Sequence, residues 1–422
     1  MPGNQERLLV TSPEALKEIL VSKTAHFVKP QSVKHRLSRV TGNGLLIVEG
    51  EEHKAQRKSL MPAFSFRHIK DLYPIFWSKA RELVICLEKE VNNNKTKETK
   101  VTEVRGWATR TTLDIIGLAG MDHDFNSLQN PNNSLARRPI PISRRVAALL
   151  SILPTRQKKQ VSEASNYIRD LCRNIIQEKQ EKLKTDQTED GVDIIAVALK
   201  SNVFTDENLV DQMMTFLAAG HGTTSHALQW AVYALCKHDK IQARLREEIR
   251  DKLPPISDPE SKISAPDIDA LPFLHAFCNE ILRFYAPVPA TVRQSLHETT
   301  VVGYRIPKGT SFTIAPGVVN LDKELWGPDA DTFNPERWMQ DGCVNSGGVK
   351  NNYGFLTFLH GPRSCIGETF ARSELACLVA AIVGRFRMEL EDPDKEVKLM
   401  NRGIGLSPAD GVRAKFEIVD GW

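Results

Sequence analysis

Hydrophobic and polar positions follow two different periods along this chain. From about residue 51 to residue 254 the apolar positions recur at helical spacing, and the same period returns at Leu271–Tyr285 and in the apolar stretch after Cys365. Between residues 288 and 338 the pattern changes to the alternation that is typical of strands. The sequence therefore predicts a mainly α-helical fold with a small β-rich lobe, an α+β arrangement.

The boundaries of these parts follow from the same pattern. One domain is expected over residues 1–422, because no repeat or clean linker divides the sequence. The helical core is expected at about residues 51–287 and 366–385. The β-rich parts are expected at about the following ranges: 1–50, 288–338 and 398–422.

Two local patterns predict particular elements. At the start of the chain, Leu8–Val10 is expected to form a strand and Glu14–Val21 a short helix. Farther along, Thr299–Ile306 and Ser311–Ala315 are expected to pair as a hairpin around the turn Pro307–Thr310.

Composition and charge exclude several classes of protein. With 56 basic and 52 acidic side chains the net charge is only +4, so no broad nucleic-acid-binding surface is indicated. The seven cysteines are scattered and form no CxxC pair, which argues against a disulfide scaffold or a zinc ribbon. No apolar run approaches the ~18 residues that cross a bilayer, and the N-terminus has no targeting signature. We expect a soluble protein, or one that touches a membrane only at its surface.

The sharpest chemical pattern is the ten-residue stretch Phe358–Gly367, which has the sequence FLHGPRSCIG. A single cysteine, Cys365, precedes an apolar helix, where free N–H groups and the helix dipole stabilise a thiolate. Gly361 and Gly367 remove side chains where a flat group would approach. A lone cysteine is usually a small buried hydrophobe, but this frame favours a reactive thiolate.

A long helix is predicted from Asp206 to His238, and its centre has the sequence AAGHGTT. The interior glycines Gly220 and Gly222 each cost about 1 kcal/mol relative to alanine. Either a close helix crossing or a functional groove would account for them.

Two charged patterns lie on other predicted helices. Glu280 and Arg283 are three residues apart and share a helix face, so they can pair. His53 and Arg57 are four residues apart and share a face in the same way. On their own, such patterns are most often a surface ion pair and a solvated basic helix.

Together these four patterns resemble, in order, those of the cytochrome P450 family, and the resemblance covers nearly the whole chain. Phe358–Gly367 matches FxxGxRxCxG, Ala219–Thr224 is similar to AGx(D/E)T(T/S), Glu280–Arg283 matches ExxR, and His53–Arg57 is similar to WxxxR with His53 in place of tryptophan. The chain resembles a fungal member of the eukaryotic microsomal type that is shortened at the N-terminus. The family fold would place haem between the long central helix and the cysteine loop.

The resemblance implies a role for each of these residues around haem b. Cys365 would be the thiolate ligand of the iron, and thiolate ligation favours O–O cleavage. The other residues expected to bind the cofactor are Arg363, Arg57, His53 and Arg293, which would hold propionates, together with Phe358 and Gly367 of the loop. Glu280, Arg283 and Arg337 would form a buried structural triad.

On the oxygen side, the resemblance assigns the central helix a groove made where the helix loosens. Gly220 would help to form it, and Thr223 would be the threonine that hydrogen-bonds dioxygen. Gly222 stands where the family usually has a carboxylate that relays protons. His221 is a candidate substitute, because the pKa of histidine lies near neutrality.

The expected function is a haem-thiolate monooxygenase that oxidises a hydrophobic small molecule, of the kind found in secondary metabolism, with electrons from NADPH through a reductase. The resemblance places such a protein, as a monomer, on the cytoplasmic face of the endoplasmic reticulum. The basic pairs Arg137–Arg138 and Arg144–Arg145 fit either a solvated loop or contact with an anionic membrane surface. Two alternatives remain open: a haem-thiolate isomerase or dehydratase that does not use O2, and a non-catalytic remnant.

Overall fold

The computed structural model describes most of the chain. The described ranges are 6–94, 101–130, 156–185, 193–395, 397–402 and 405–422. The two basic pairs around residues 137 and 144 lie outside these ranges.

Helices make up most of the described structure, as the sequence predicts. In chain order they are α1 (Pro13–Lys17), α2 (Gln31–Thr41), α3 (Gly50–Leu60), α4 (Phe66–Lys70), α5 (Tyr73–Asn94), α6 (Val104–Met121), α7 (Arg156–Thr185), α8 (Ile194–Lys200), α9 (Asp206–Lys237), α10 (Asp239–Lys252), α11 (Ala265–Asp269), α12 (Pro272–Phe284), α13 (Pro316–Val319), α14 (Lys323–Trp326) and α15 (Glu368–Arg385).

The strands are short and form separate small sheets. They are β1 (Arg7–Val10), β2 (Phe27–Val28), β3 (Thr102–Glu103), β4 (Thr291–Ser295), β5 (Thr299–Val301), β6 (Tyr304–Ile306), β7 (Ser311–Ile314), β8 (Phe386–Leu390), β9 (Leu399–Arg402), β10 (Gly405–Pro408) and β11 (Arg413–Ile418). Four of them form a sheet in the order β1-β7-β4-β2, in which β1 runs parallel to β7 and the other pairs are antiparallel.

The prediction that Thr299–Ile306 pairs with Ser311–Ala315 as a hairpin was wrong. β5 pairs with β6 inside Thr299–Ile306, while β7 pairs with β4 and β1. A tight turn at Val302 and Gly303, with φ of 48° and 78°, closes the hairpin. Such a turn needs positive φ at both central residues, and a β-branched valine is a poor signature for it.

The start of the chain contains more helix than the predicted β-rich label suggests. The predicted opening strand and helix are present as β1 and α1, and α1 continues as a π-helical turn over Glu18–Ser22. The segment from residue 31 to residue 41 is helix α2. Only β1 and β2 within residues 6–50 join the sheet.

The long helix α9 passes through the centre of the helical core. It begins after Thr205, whose hydroxyl accepts a hydrogen bond from the backbone N–H of Asn208 at 3.2 Å. A Cβ added to Gly220 would lie 3.2 Å from the Ile116 side chain of α6. The close helix crossing therefore accounts for Gly220.

The β-rich lobe has a small core of its own. It is built on Phe27 and Phe312, whose rings meet edge to face with centroids 5.4 Å apart. Leu16, Leu20 and Ile314 surround them. This core supports the π-helical turn on which the cysteine loop rests.

A fully buried ion network connects α12 to the segment before the cysteine loop. Arg283 donates two hydrogen bonds to the Glu280 carboxylate, at 2.8 and 2.7 Å, and both side chains are 0% exposed. Arg337 donates to the same carboxylate at 3.2 Å. The structure thus brings together the three members of the predicted triad.

Further hydrogen bonds complete this network. Arg283 also donates to the backbone carbonyls of Asn320, Ala330 and Thr332. The indole N–H of Trp338 donates to Glu280 at 2.9 Å. Because the side chains of Glu280 and Arg283 are fully buried, removal of one of them leaves charge without a partner.

Replacement of Glu280 by alanine tests this network. We expect Glu280→Ala to lower the free energy of unfolding by about 3–5 kcal/mol, because the buried Arg283 guanidinium loses its carboxylate and Arg337 keeps only its pair with Asp329. Urea denaturation followed by circular dichroism measures the change. The matched control is Glu298→Ala, which removes an exposed carboxylate that pairs with Arg305 and should leave the midpoint nearly unchanged. Equal losses in the two variants would contradict the assignment.

Candidate functional site: a cysteine loop and a basic cluster

The cysteine loop has a fixed backbone geometry. Gly361–Arg363 forms a short 3-10 turn, and the backbone N–H of Cys365 donates to the carbonyl of Phe358 at 2.8 Å. Helix α15 begins at Glu368, with Gly367 as its cap. The sulfur of Cys365 therefore lies just before the helix N-terminus, where the backbone N–H of Gly367 can reach it.

Cys365 lines an internal surface. Its side chain is accessible to solvent, yet it lies deep enough among protein atoms that desolvation raises the pKa of its thiol to about 11. The Gly367 N–H, Arg57 and Arg372 lower this pKa, and the Glu368 carboxylate raises it. The protein alone therefore keeps the thiol protonated at neutral pH, and an added positive charge is needed to produce a thiolate.

Arg57 is held beside this loop and does not stand free. Its guanidinium donates to the backbone carbonyl of Ser364 at 2.8 Å and to the Ser364 hydroxyl at 3.3 Å. Burial lowers the pKa of Arg57, and the neighbouring Cys365 sulfur acts in the opposite direction. Arg57 therefore supports the residue that precedes the cysteine.

Four basic side chains gather around one carboxylate near the loop, and we call them the basic cluster: Lys29, His53, Arg293 and Arg363. Arg363 lies 2.7 Å from the Glu49 carboxylate and donates to the carbonyl of Phe27 at 2.7 Å. Arg293, on β4, is only 2% exposed. The backbone N–H of Lys29 donates to Glu49 at 3.0 Å.

The basic cluster has more positive charge than its single carboxylate can balance. Burial, followed by the charge of Arg293, lowers the pKa of Lys29 to about 7. Burial, followed by the charges of Arg363 and Arg57, lowers the pKa of His53 to about 4. Burial and Arg363 lower the pKa of Arg293 to about 10. Since proteins rarely bury unpaired cations, this pattern indicates a site for an anionic group.

The centre of α9 opens onto a space inside the protein. Residues 209–217 are buried, whereas residues 218–223 are partly exposed. A Cβ added to Gly222 would meet no atom within 4 Å, so open space begins at this residue. The helix is nevertheless continuous here, and the loosening implied by the family resemblance is not seen.

The polar side chains at this point bond to their own helix. The hydroxyl of Thr223 donates to the carbonyl of Ala219 at 2.8 Å. His221 places Nδ1 against the carbonyl of Leu217, and burial lowers the pKa of its imidazole. His221 is therefore neutral at neutral pH, which makes it a poor proton source.

The remaining predicted loop residues support the loop from within the protein. The ring of Phe358 lies under the guanidinium of Arg372, 4.9 Å from its carbon. A Cβ at Gly367 would lie 3.8 Å from the Phe64 ring, an ordinary contact. A Cβ at Gly361 would lie 2.2 Å from the Leu20 carbonyl oxygen, and Gly361 has φ of +78°. Contact with protein thus explains Gly361, in place of the flat group that the sequence suggested.

The sequence did not identify two residues of this site, Lys29 and Glu49. Both lie in the first fifty residues, which contain no recognisable motif, and only the folded chain brings them to Arg363 and Arg293. An unusually basic, buried neighbourhood is visible only in three dimensions.

The two loop glycines can be separated by experiment. Gly361→Ala should cost about 1–3 kcal/mol from backbone strain alone, with the clash against Leu20 added, whereas Gly367→Ala should leave the melting temperature nearly unchanged. Differential scanning calorimetry of both variants measures this. Similar melting temperatures for the two variants would show that the loop does not rest on the π-helical turn as described.

The Cytochrome P450 family profile matches residues 1–413. The chain is 51% identical over 437 aligned residues to the cytochrome P450 monooxygenase sphH of Aspergillus fumigatus, an alignment that covers 100% of this chain and 80% of that protein. It is 41% identical to the cytochrome P450 monooxygenase FUM15 of Gibberella moniliformis, with 95% and 77% covered.

Solved structures give the same fold. A crystal structure of a cytochrome P450 (CYP102L1) aligns with a TM-score of 0.81 at 23% identity, and the alignment covers 97% of this chain and 89% of that one. The cysteine loop, the basic cluster and the open centre of α9 fit the haem that this fold carries. The chain therefore belongs to the cytochrome P450 family and is a haem-dependent monooxygenase similar to those of fungi.

Proposed function

We propose that Cys365 is the thiolate ligand of haem iron and that the basic cluster holds the haem carboxylates. The observation that carries the proposal is a cysteine just before α15, two residues from Arg363 of a basic cluster that has a single carboxylate. Haem supplies the activation of O2, with electrons from NADPH delivered through a reductase. The residues of this chain bind and orient the haem, and they control access to it.

On the cysteine side of the site, nearby groups stabilise the thiolate form of Cys365. The positive charge of the metal favours the thiolate over the thiol. The Gly367 N–H and the Arg57 guanidinium act in the same direction. Arg57 also fixes Ser364, so the sulfur keeps one position whether or not its charge changes.

The basic cluster supplies charge-assisted hydrogen bonds. Arg363, Arg293 and Lys29 are suited to bind carboxylates, because the single acid Glu49 does not neutralise them. His53 stays neutral and can donate one N–H, as the tryptophan of the family motif does. Glu49 orients Arg363 through their 2.7 Å ion pair.

On the opposite side, α9 provides room and a fixed hydroxyl. Gly222 leaves open space beside the helix. Because the hydroxyl of Thr223 donates to Ala219, its oxygen lone pairs remain available to accept a hydrogen bond from water. Thr223 thus has a defined orientation at the open part of the helix.

The substrate is a hydrophobic small molecule, in keeping with a step of secondary metabolism. Half-exposed apolar side chains come from three elements, namely Ala219 on α9, Val288 and Val292 after α12, and Leu406 on β10. The indole N–H of Trp230 fixes β10 against α9 by donating to the Leu406 carbonyl at 3.1 Å. Apolar walls with few polar groups favour binding through buried area.

We further propose that the enzyme works as a monomer with peripheral contact to a membrane, at the cytoplasmic face of the endoplasmic reticulum. Across the described helices, none is long and apolar enough to span a bilayer. Leu8 and Leu9 of β1 are 48% and 56% exposed, and these apolar side chains are suited to an interfacial contact.

A carbon monoxide difference spectrum of the reduced protein tests the ligand assignment. We expect the wild-type chain to show the spectrum of a thiolate-ligated haem, and Cys365→Ala to lose it, because Cys365 is the cysteine of the loop that carries Arg363. The control is Cys343→Ala, which changes a half-buried cysteine of the loop 342–354. An unchanged spectrum in Cys365→Ala would overturn the proposal.

Proton uptake on haem binding tests the basic cluster. Above pH 7 Lys29 is largely neutral in the haem-free protein, and bound carboxylates should raise its pKa, so Lys29 should take up a proton on haem binding, whereas ligation of the protonated Cys365 thiol should release one. The same depressed pKa means that the haem-free protein gains stability as the pH rises from about 7 toward the ordinary value of 10.5. Calorimetric titration in buffers with different ionisation enthalpies measures the uptake.

Two variants serve as controls for this titration. Lys29→Met should still bind haem but release more protons on binding than wild type, whereas Lys58→Met, which changes an exposed lysine on α3, should keep the wild-type proton balance. The same proton balance in Lys29→Met and wild type would show that the carboxylates lie elsewhere.

A further inference from the structure

The stretch between α2 and α3 is an irregular but buried part of the chain. Residues 42–49, which we call the linking segment, form no helix or strand, yet Leu45, Ile47 and Val48 are only 6–8% exposed. Backbone groups that are buried in this way need hydrogen-bond partners within the protein. The linking segment ends at Glu49, the carboxylate around which the basic cluster gathers. The partners of its backbone therefore bear on the site.

Helix α9 supplies two hydrogen bonds to this part of the backbone. The backbone N–H of Leu45 donates to Oε1 of Gln212 at 2.9 Å. About one turn farther along α9, the hydroxyl of Thr215 donates to the carbonyl of Thr41, the last residue of α2, at 2.9 Å. Both bonds are buried, so water does not compete for these groups. Two side chains of α9 thus hold the linking segment and the end of α2.

The linking segment also packs tightly against α9. A Cβ added to Gly42 would collide with the Asp211 carboxylate, and one added to Gly44 would collide with the Thr215 hydroxyl. The backbone therefore approaches the helix more closely than a residue with a side chain would permit. The position of the linking segment relative to α9 is fixed by this contact as well as by the hydrogen bonds.

Gln212 reaches beyond the linking segment to the next helix. Its side chain is 0% exposed, and its amide NH2 group donates to Oε1 of Gln56 on α3 at 2.8 Å. Gln56 is 4% exposed and donates in turn to the Glu52 carboxylate at 3.2 Å. One side chain of α9 is therefore bonded on both sides of Glu49, to Leu45 four residues before it and to Gln56 seven residues after it.

Gln56 connects this bond to the residues of α3 that face the site. It directly precedes Arg57, which supports the cysteine loop, and it lies three residues after His53 of the basic cluster. A buried amide whose two ends are both bonded specifies one arrangement of the groups around it. Gln212 therefore ties the positions of Glu49 and His53 to α9.

We propose that Gln212 is a positioning residue for the haem carboxylates, because it holds Glu49 and His53 fixed relative to the rest of the basic cluster. This inference rests on the proposed haem site. Gln212 acts only through its two hydrogen bonds and the segment between them. Loss of these bonds leaves the N–H of Leu45 and the amide of Gln56 without that partner, and Glu49 is then free to shift with the linking segment.

The rate of haem loss tests this role without turnover. Gln212→Met keeps the length of the side chain and removes both hydrogen bonds, so haem should dissociate roughly 10–100-fold faster than from wild type, the range typical of a lost partner that orients binding residues. Transfer of haem to an excess of apomyoglobin, followed by absorbance, gives the rate. Gln212→Glu keeps an acceptor for the Leu45 N–H and should recover part of the loss.

Thr215→Val is the matched control for this measurement. It also removes a buried bond of 2.9 Å between α9 and the backbone, but that bond ends on α2 rather than on α3. Thr215→Val should therefore lower the melting temperature and keep the wild-type rate of haem loss. Equal rates of haem loss in Gln212→Met and Thr215→Val would show that the linking segment needs only to be attached, and the inference would be overturned.

Hydrogen exchange of the Leu45 amide tests the same link in the opposite direction. If the bonds of Gln212 favour haem binding, haem binding must favour those bonds by the same factor. Haem should therefore slow exchange in the peptide that contains residues 42–49, measured by mass spectrometry. Gln212→Met should remove this slowing, and Thr215→Val should keep it. Exchange that haem leaves unchanged in the wild-type protein would contradict the inference.

A second variant gives the same test from α3 if Gln212→Met does not fold. Gln56→Met breaks the shared bond and should also speed haem loss, and the double variant should lose haem no faster than Gln212→Met, because both act through one bond. If these variants retain the wild-type rate with a normal carbon monoxide spectrum, the positioning role is wrong and the haem site stands. Loss of the thiolate spectrum in the wild-type chain would instead remove the proposed function itself.

Discussion

Charge buried without a partner in the protein is the constraint on which the site depends. Desolvation keeps the Cys365 thiol protonated, and the same effect lowers the pKa values of Lys29, His53 and Arg293. A metal ion bound to the sulfur offsets the desolvation cost of the thiolate. Carboxylates bound near the basic cluster offset the desolvation cost of its cations. Haem contains both a metal ion and carboxylates, so one bound group offsets both desolvation costs.

The rest of the fold holds these charges in place. The network around Glu280 and Arg283 ties α12 to the segment that leads into the cysteine loop. The small core around Phe27 and Phe312 supports the turn against which Gly361 packs. The helical core and the β-rich lobe therefore meet at the loop, and a change in either is expected to move the sulfur.

The sequence predicted those parts of the site that short spacings specify. Cys365 and Arg363 lie two residues apart in one loop, Glu280 and Arg283 share a helix turn, and Gly222 marks the open part of α9. Each of these follows from local periodicity and from family resemblance. The helical core and the existence of a β-rich lobe were predictable for the same reason.

Contacts between distant segments were not predictable in this way. Lys29 and Glu49 join the site from a region without motifs. The partner of β7 was missed because strand pairing depends on the whole sheet and not on the nearest turn. Gly361, which was expected to leave room for a flat group, instead accommodates a backbone carbonyl.

X-ray absorption at the iron edge of the purified, haem-loaded chain tests the central claim most directly. A sulfur scatterer in the first coordination shell of wild type, absent in Cys365→Ser, is the predicted result. A shell made only of nitrogen and oxygen in the wild-type protein would contradict the account, because the internal thiol would then have no charge to stabilise it as a thiolate.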